Sequence, residues 1–475
     1  MTAARNVNEN PCNMCMPMGA ILPFKGIEQC MVVLHGSQGC STYMRRHIAE
    51  HFNEPIDVGS SSLNEKGTVY GGEKNLKQAL DNIIKVYNPK VIGVLTTCLA
   101  ETIGEDIERI AAEYRKEKNL TDLTVVTVPT PGYGGTHTEG YLYALRRTLI
   151  QVTKKAEKHN KLNLIIPHIS TADIRELKRI LDIMNIQYTL FPDISDTLDR
   201  PLLRQYAKLP DGGTKIQDIQ EMSGAVATIQ FGITAADELS PGKYLEDEFG
   251  VPLYNLPIPM GVENTDLFIK ALCEINDMAM PDSIAAERGR LLDAMVDSHK
   301  YNFQGRSVIF GDPELVYAIS KTCLENGVFP VVIATGSFNS KVFELLQPEL
   351  EANDAPAVNF LNETDFMKIR NVVSDSSANI AIGHSDGRYL EEHEHIPLVR
   401  LGFPILDRVG GQRLLSVGYT GTAMFLDRIT NTLLAEKRRS YRRSMYEKYY
   451  RGLEKGPACG VNRGGENELQ MSESN

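Results

Sequence analysis

Short runs rich in Val, Ile and Leu recur along the chain. Most end in Gly, Pro, Asp or Thr and are followed by a longer stretch with apolar residues at helical spacing. Continuous apolar runs of this length mark strands buried on both faces, the pattern of parallel sheets covered by helices. The first unit joins an amphipathic segment at 73–87, a strand at 91–97 (VIGVLTT) and a helix over 103–118. The run 125–128 (VVTV) then stops at Pro129, Pro131 and Gly132, where the chain must turn. A second series has strands at 162–166 and 187–191 around a helix at 171–184, with an apolar stretch at 225–231. A third has strands at 307–311, 330–334, 379–382 and 398–401, with a helix at 314–326. The fold class is α/β, in three successive sets divided near residues 158 and 302: domains 1–158, 159–302 and 303–435. A helix over 430–450 carries the basic run Lys437, Arg438, Arg439, Arg442 and Arg443, and 436–475 reads as a helix end and mobile tail. A docking patch for an acidic partner is one role for that run; a solvated helix face is the plainer one.

Length and composition fit this picture. At about 150 residues per domain, 475 residues predict three. The chain is 42% hydrophobic and 23% charged, with a net charge of -11, which argues against nucleic acid or an anionic membrane surface as partner. No run approaches a membrane span, and residues 1–10 lack a signal-peptide core, so the expected location is cytoplasmic. Eight cysteines are too few for a disulfide scaffold in so long a chain. In a reducing compartment a group of them is better read as metal or cluster ligands.

Neither G-x-G-x-x-G nor G-x-x-x-x-G-K-[ST] occurs, which argues against a dinucleotide enzyme or a P-loop ATPase. Gly71-Gly72 reads as a tight turn. His47 to His51 has the form H-x-x-E-H, which on a helix puts two imidazoles on one face, as a zinc hydrolase requires, but no third ligand can be identified. His384, His393 and His395 read as surface residues of an acidic loop. Among the cysteines, Cys12 and Cys15 form C-x-x-C, Cys40 follows the turn-rich 35–39, and Cys98 ends the VIGVLTT strand. Thiolates suit iron–sulfur clusters or zinc, and strand ends are where an α/β sheet presents ligands. Buried structural cysteines remain the other reading.

The residues 15–20 (CMPMGA), 35–40 (HGSQGC), 51–55 (HFNEP), Gly71-Gly72 with Asn75-Leu76, and 96–106 (TTCLAETIGED) together resemble the β-type subunits of the nitrogenase component 1 family. The likeness continues through 212–215 (GGTK), 297–299 (DSH), 310–313 (FGDP) and 401–408 (LGFPILDR). It implies three Rossmann-like domains with mostly parallel sheets and pairing with a homologous α-type chain in an α2β2 heterotetramer. It implies that Cys15, Cys40 and Cys98 line the subunit interface and bind the iron of a shared Fe–S cluster, of [4Fe-4S] or P-cluster type. The active-site cofactor, with its Cys and His ligands, would belong to the partner, so this chain alone is not expected to be catalytic. Within the family, 35–46 (HGSQGCSTYMRR) and 407–412 (DRVGGQ) most resemble the N-type subunit of the EN scaffold. Gly132 also stands where catalytic β subunits usually carry a serine. The expectation is therefore a scaffold subunit for maturation of the iron–molybdenum cofactor. Its cluster would relay electrons from an ATP-dependent iron-protein reductase to a precursor held by an E-type partner. The alternative, which retention of all three cysteines favours, is the β subunit of a nitrogenase or nitrogenase-like reductase carrying half of a P-cluster. A non-redox structural partner subunit is a third reading. Cys12, Cys30, Cys273, Cys323 and Cys459 receive no role. Glu101 and Asp106 are expected to stabilise a helix start.

Overall fold

The computed structural model describes residues 12–450 except 203 and 206. Among these residues thirteen strands form three sheets in which every neighbouring pair is parallel. The first sheet, in the order β2-β1-β3-β4, contains β1 (Cys30–His35), β2 (Gly59–Ser60), β3 (Val91–Thr96) and β4 (Thr124–Val128). Its helices are α1 (Met16–Lys25), α2 (Gln38–Phe52), α3 (Glu65–Tyr70), α4 (Glu73–Tyr87), α5 (Cys98–Thr102), α6 (Ile107–Glu117) and α7 (His137–Val152). The second, in the order β6-β5-β7-β8, contains β5 (Leu162–Ile165), β6 (Tyr188–Phe191), β7 (Thr228–Phe231) and β8 (Leu253–Leu256). With it go α8 (Thr171–Ile183), α9 (Ile216–Glu221), α10 (Pro241–Phe249), α11 (Val262–Asn276) and α12 (Asp282–Asn302). The third, in the order β11-β10-β9-β12-β13, contains β9 (Arg306–Gly311), β10 (Phe329–Thr335), β11 (Asn359–Leu361), β12 (Ile380–Gly383) and β13 (Leu398–Arg400). It carries α13 (Pro313–Glu325), α14 (Ser340–Ala352), α15 (Phe366–Val373) and α16 (Arg388–His393), and α17 (Gly418–Tyr449) follows.

The apolar runs become strands because both faces of each sheet are covered. In β1 the alternation of side chains sends Val32 and Leu34 into one buried cluster and Met31 and Val33 into another, under α4 and α6. The larger cluster takes in residues of all three sheets, such as Leu34, Leu164 and Ile333. The register between β1 and β3 is even, from Cys30–Val91 through His35–Thr96, so the loops after these strands leave the sheet at the same level. That alignment brings the cysteines together.

The helix expected over 103–118 is divided. Gly104 takes a φ of 75° and ends α5, and Asp106 restarts the chain as α6 by accepting the Arg109 N–H at 3.0 Å. The last helix begins at Gly418, twelve residues before its expected start, because its first four turns are buried against the body. Strands β2, β8 and β11 escape the apolar pattern, being two to four residues long and partly exposed. Residues up to Leu433 form one compact unit, and a second begins at Leu434. In the second, Lys437, Arg438, Arg439, Arg442 and Arg443 are exposed on α17, while Cys459 and the rest of the tail lie outside the described residues. Among the described residues no helix is long and apolar enough to cross a membrane.

Candidate functional site

Three adjacent strands end at one edge of the first sheet, and the residues just beyond them build the site. After β1 the chain turns through Gly36 and Ser37, and Cys40 is the third residue of α2. After β3, Thr97 precedes α5, and Cys98 is its first residue. The two turns touch only because position 36 has no side chain: a Cβ there would stand 2.0 Å from Thr97 Oγ1. After β4 the loop carries Gly132, whose N–H donates to Cys98 Sγ at 3.2 Å. Cys15 arrives from outside the sheet as the N-cap of α1, bridged to Thr136 at the start of α7. Cys15, Cys40 and Cys98, the three cysteines predicted to work together, thus lie at the starts of three helices on one edge.

Ser37 Oγ lies 3.7 Å from Cys40 Sγ as donor, and the Met18 N–H donates to Cys15 O at 3.0 Å. Burial raises the Cys15 thiol's pKa, the Met18 backbone N–H acting on the sulfur lowers it, and the neighbouring Cys40 and Cys98 raise it again. Three thiolates placed this closely repel one another, and bound cations would relieve that repulsion. Among the described residues no three His, Cys, Asp or Glu side chains are arranged to hold one ion. The donor set fits a polynuclear iron–sulfur cluster, in which each thiolate takes its own iron. Cys98 is exposed, as are Tyr43, which interacts electrostatically with Cys15, and Tyr133, which follows Gly132, so this edge is open.

Around the thiols sits a rigid frame. His35 is buried with Nδ1 2.9 Å from Ser61 Oγ and Nε2 3.4 Å from Glu105, and burial depresses its pKa. Glu105 also accepts the Gly72 N–H at 2.6 Å, so Gly71-Gly72 is the tight turn the sequence suggested, with a φ of 93° at Gly71.

The H-x-x-E-H motif does not assemble a zinc site. His51 is buried between Phe52, His168 and Phe403, and its Nδ1 accepts the Ile405 N–H at 2.9 Å. Burial pushes its pKa down to about 3. His47 instead lies against the Tyr43 ring. The grouping of His384 with His393 and His395 is also corrected: those two are exposed, whereas His384 is buried at the end of β12, 3.4 Å from the Cys12 thiol. Cys12, Cys30 and Cys323 are packed inside, Cys273 is partly buried, and all seven described cysteines are free.

Sequence reasoning missed the groups behind Cys15. His137 Nδ1 accepts the Met14 N–H at 3.1 Å, and its Nε2 lies 2.7 Å from Asp312 Oδ1. Burial opposes the charged form of each, but their attraction prevails, raising the His137 pKa and lowering that of Asp312. The capping box of α7, Thr136 with Glu139, was the available signal for a fixed His137. Beside this pair a cavity of about 30 Å³, lined by His168, Tyr141 and Glu314 among others, has room for one or two waters and none for a cofactor.

Comparison with known proteins gives one consistent result. The family model for nitrogenase component 1 type oxidoreductases matches residues 15–434. The chain is 36% identical over 428 residues to a nitrogenase molybdenum-iron protein beta chain of Clostridium pasteurianum, covering 90% of this chain and 93% of that one. It is 31% identical to a nitrogenase vanadium-iron protein beta chain of Trichormus variabilis, covering 92% and 97%. A chain in a solved structure of nitrogenase Cp1 at pH 6.5 superposes with a TM-score of 0.89 at 34% identity, covering 92% of this chain and 96% of that one.

Proposed function

The chain belongs to the nitrogenase component 1 family as a β-type member, and from that premise we propose that it is the β subunit of a nitrogenase, carrying half of an iron–sulfur cluster shared with an α-type partner. The observation that carries this reading is the meeting of Cys15, Cys40 and Cys98 on one open edge of the first sheet. In it, the three thiolates hold the iron on this chain's side, and the cluster, when bound, supplies stored electrons at low potential. The Gly132 N–H and the Ser37 hydroxyl donate to the sulfurs of Cys98 and Cys40 and so fix their orientation. The buried His35–Ser61–Glu105 frame fixes the loops from which Cys40 and Cys98 project. The exposed Tyr43 and Tyr133 lie at this edge, where the α-type chain would cover them. The family resemblance places the active-site cofactor in the α-type chain, so substrate reduction is assigned to the partner, with an ATP-dependent iron-protein reductase as electron source. A reducing, cytoplasmic setting suits thiolate ligands.

The named relatives favour this reading over the cofactor-assembly scaffold suggested by 35–46, 407–412 and Gly132. The two differ in product. The complex of this chain with its α-type partner, supplied with reductase, ATP and reductant, is expected to form ammonia from dinitrogen. Failure to do so by a complex with full iron content, together with transfer of a cofactor to a separate acceptor protein, would establish the scaffold instead.

A further inference from the structure

The three thiols reach their common edge by two routes. Cys40 and Cys98 follow β1 and β3 and are positioned by the first sheet alone. Cys15 ends a strap, residues 12–15, that is fastened at its other end to the third sheet. There the Cys12 N–H donates to Thr364 O at 3.2 Å, and Asn13 Nδ2 donates to Gly336 O at 2.6 Å. The buried Cys12 thiol faces His384 Nε2 at 3.4 Å. A Cβ on Gly336 would stand 2.0 Å from the Cys12 carbonyl oxygen, so the strap lies directly on that loop. Gly336, Thr364 and His384 follow β10, β11 and β12, three loops at the C-terminal ends of strands of the third sheet. At the near end, Met14 is bonded twice to His137, its N–H to Nδ1 at 3.1 Å and its O from the His137 N–H at 2.8 Å. His137 in turn reaches Asp312, beyond β9 in the third sheet, at 2.7 Å.

We propose that this strap makes Cys15 the one thiol of the three that is tied to the third sheet as well as to the first, with Cys12, Asn13 and His384 as its positioning residues. The Cys12 sulfur and His384 Nε2 stand at hydrogen-bond distance, and Asp386 lies 3.6 Å from the other ring nitrogen. A shift of the third sheet against the first therefore moves Cys15 relative to Cys40 and Cys98, changing the spacing of the donor set without unfolding either sheet. The consequence for a cluster rests on the function proposed above; the strap itself does not.

Two measurements on the complex with the α-type partner separate these levels. Amide hydrogen exchange is expected to quicken over residues 13–18 in Cys12→Ala and in Asn13→Ala, while 36–41 and 97–102 keep wild-type rates; Cys12→Ser, which keeps a donor toward His384, restores slow exchange. Unchanged exchange over 13–18 in both variants, or equal acceleration in all three segments, overturns the proposal whether or not iron is bound. In the iron-loaded complex the same two variants are expected to retain their iron but show a shifted midpoint potential and altered EPR line shape. Iron-loaded variants with wild-type potential and line shape would also overturn it. A wild-type complex without iron removes the cluster reading and leaves the exchange result to decide on the strap.

Discussion

Gly132 is the glycine that lies directly against a thiol of the site. A Cβ there would stand 2.8 Å from Cys98 Sγ, so Gly132→Ala forces that thiol to rotate away from the N–H it now accepts. The prediction is lower iron content in the co-purified complex with stability changed by less than about 1 kcal/mol, since the obstacle is one movable, exposed side chain. Cys40→Ala is expected to lower iron content and the EPR signal, whereas Cys273→Ala, which removes a thiol away from the edge, leaves both unchanged. His51 supplies a pH test. Its folded-state pKa of about 3 lies below the unfolded value, so the unfolded chain binds the extra proton between them. Stability therefore falls as pH drops below about 6.5, by about 1.4 kcal/mol per pH unit from this group between roughly pH 6 and pH 4. His51→Gln, which can still accept from Ile405, should flatten the acid limb of a Tm-against-pH curve by one proton; an identical slope would contradict the assignment. Of these residues the cysteines were legible in the sequence, through their chemistry and a specific resemblance. The burial of His51 was not, because its partners Phe403 and Ile405 lie more than 350 positions away.

The crossing of α1 and α7 delivers Cys15 to the first sheet. The helices meet glycine against backbone: a Cβ on Gly19 would stand 1.7 Å from His137 O, and one on Gly140 would stand 2.0 Å from Met16 O. Neither obstacle is a side chain that can turn aside, so Gly140→Ala must separate the helices. The expected cost is about 2–3 kcal/mol or more, read as a lowered denaturation midpoint, with loss of iron as α1 carries Cys15 away. A wild-type midpoint would show that the helices do not approach so closely. The strands buried on both faces were readable from continuous apolar runs, as in β3 and β10. The edge strands β2 and β11 were not, since two or three half-exposed residues leave no periodicity. The break between α5 and α6 was marked by Gly104 and Asp106, but the apolar spacing on either side concealed it.

At the level of the whole molecule, the function proposed above makes this chain the holder of half of a site. A core cluster takes in residues of all three sheets, the cavity beside His137 has room for water only, and the thiols lie at an open edge. The number of α/β sets and their parallel sheets followed from hydrophobic patterning. The convergence of residues 15, 40 and 98 depended on strand order and register, which local sequence does not encode. The strap from the third sheet to Cys15 was hidden in a C-x-x-C whose two cysteines have different surroundings, one packed against His384 and one at the open edge. The most direct test is a crystal structure of this chain with its α-type partner, recorded at the iron absorption edge. Anomalous density is predicted at the subunit interface within bonding distance of the Cys15, Cys40 and Cys98 sulfurs. An iron-containing complex with no iron at that edge would contradict the account.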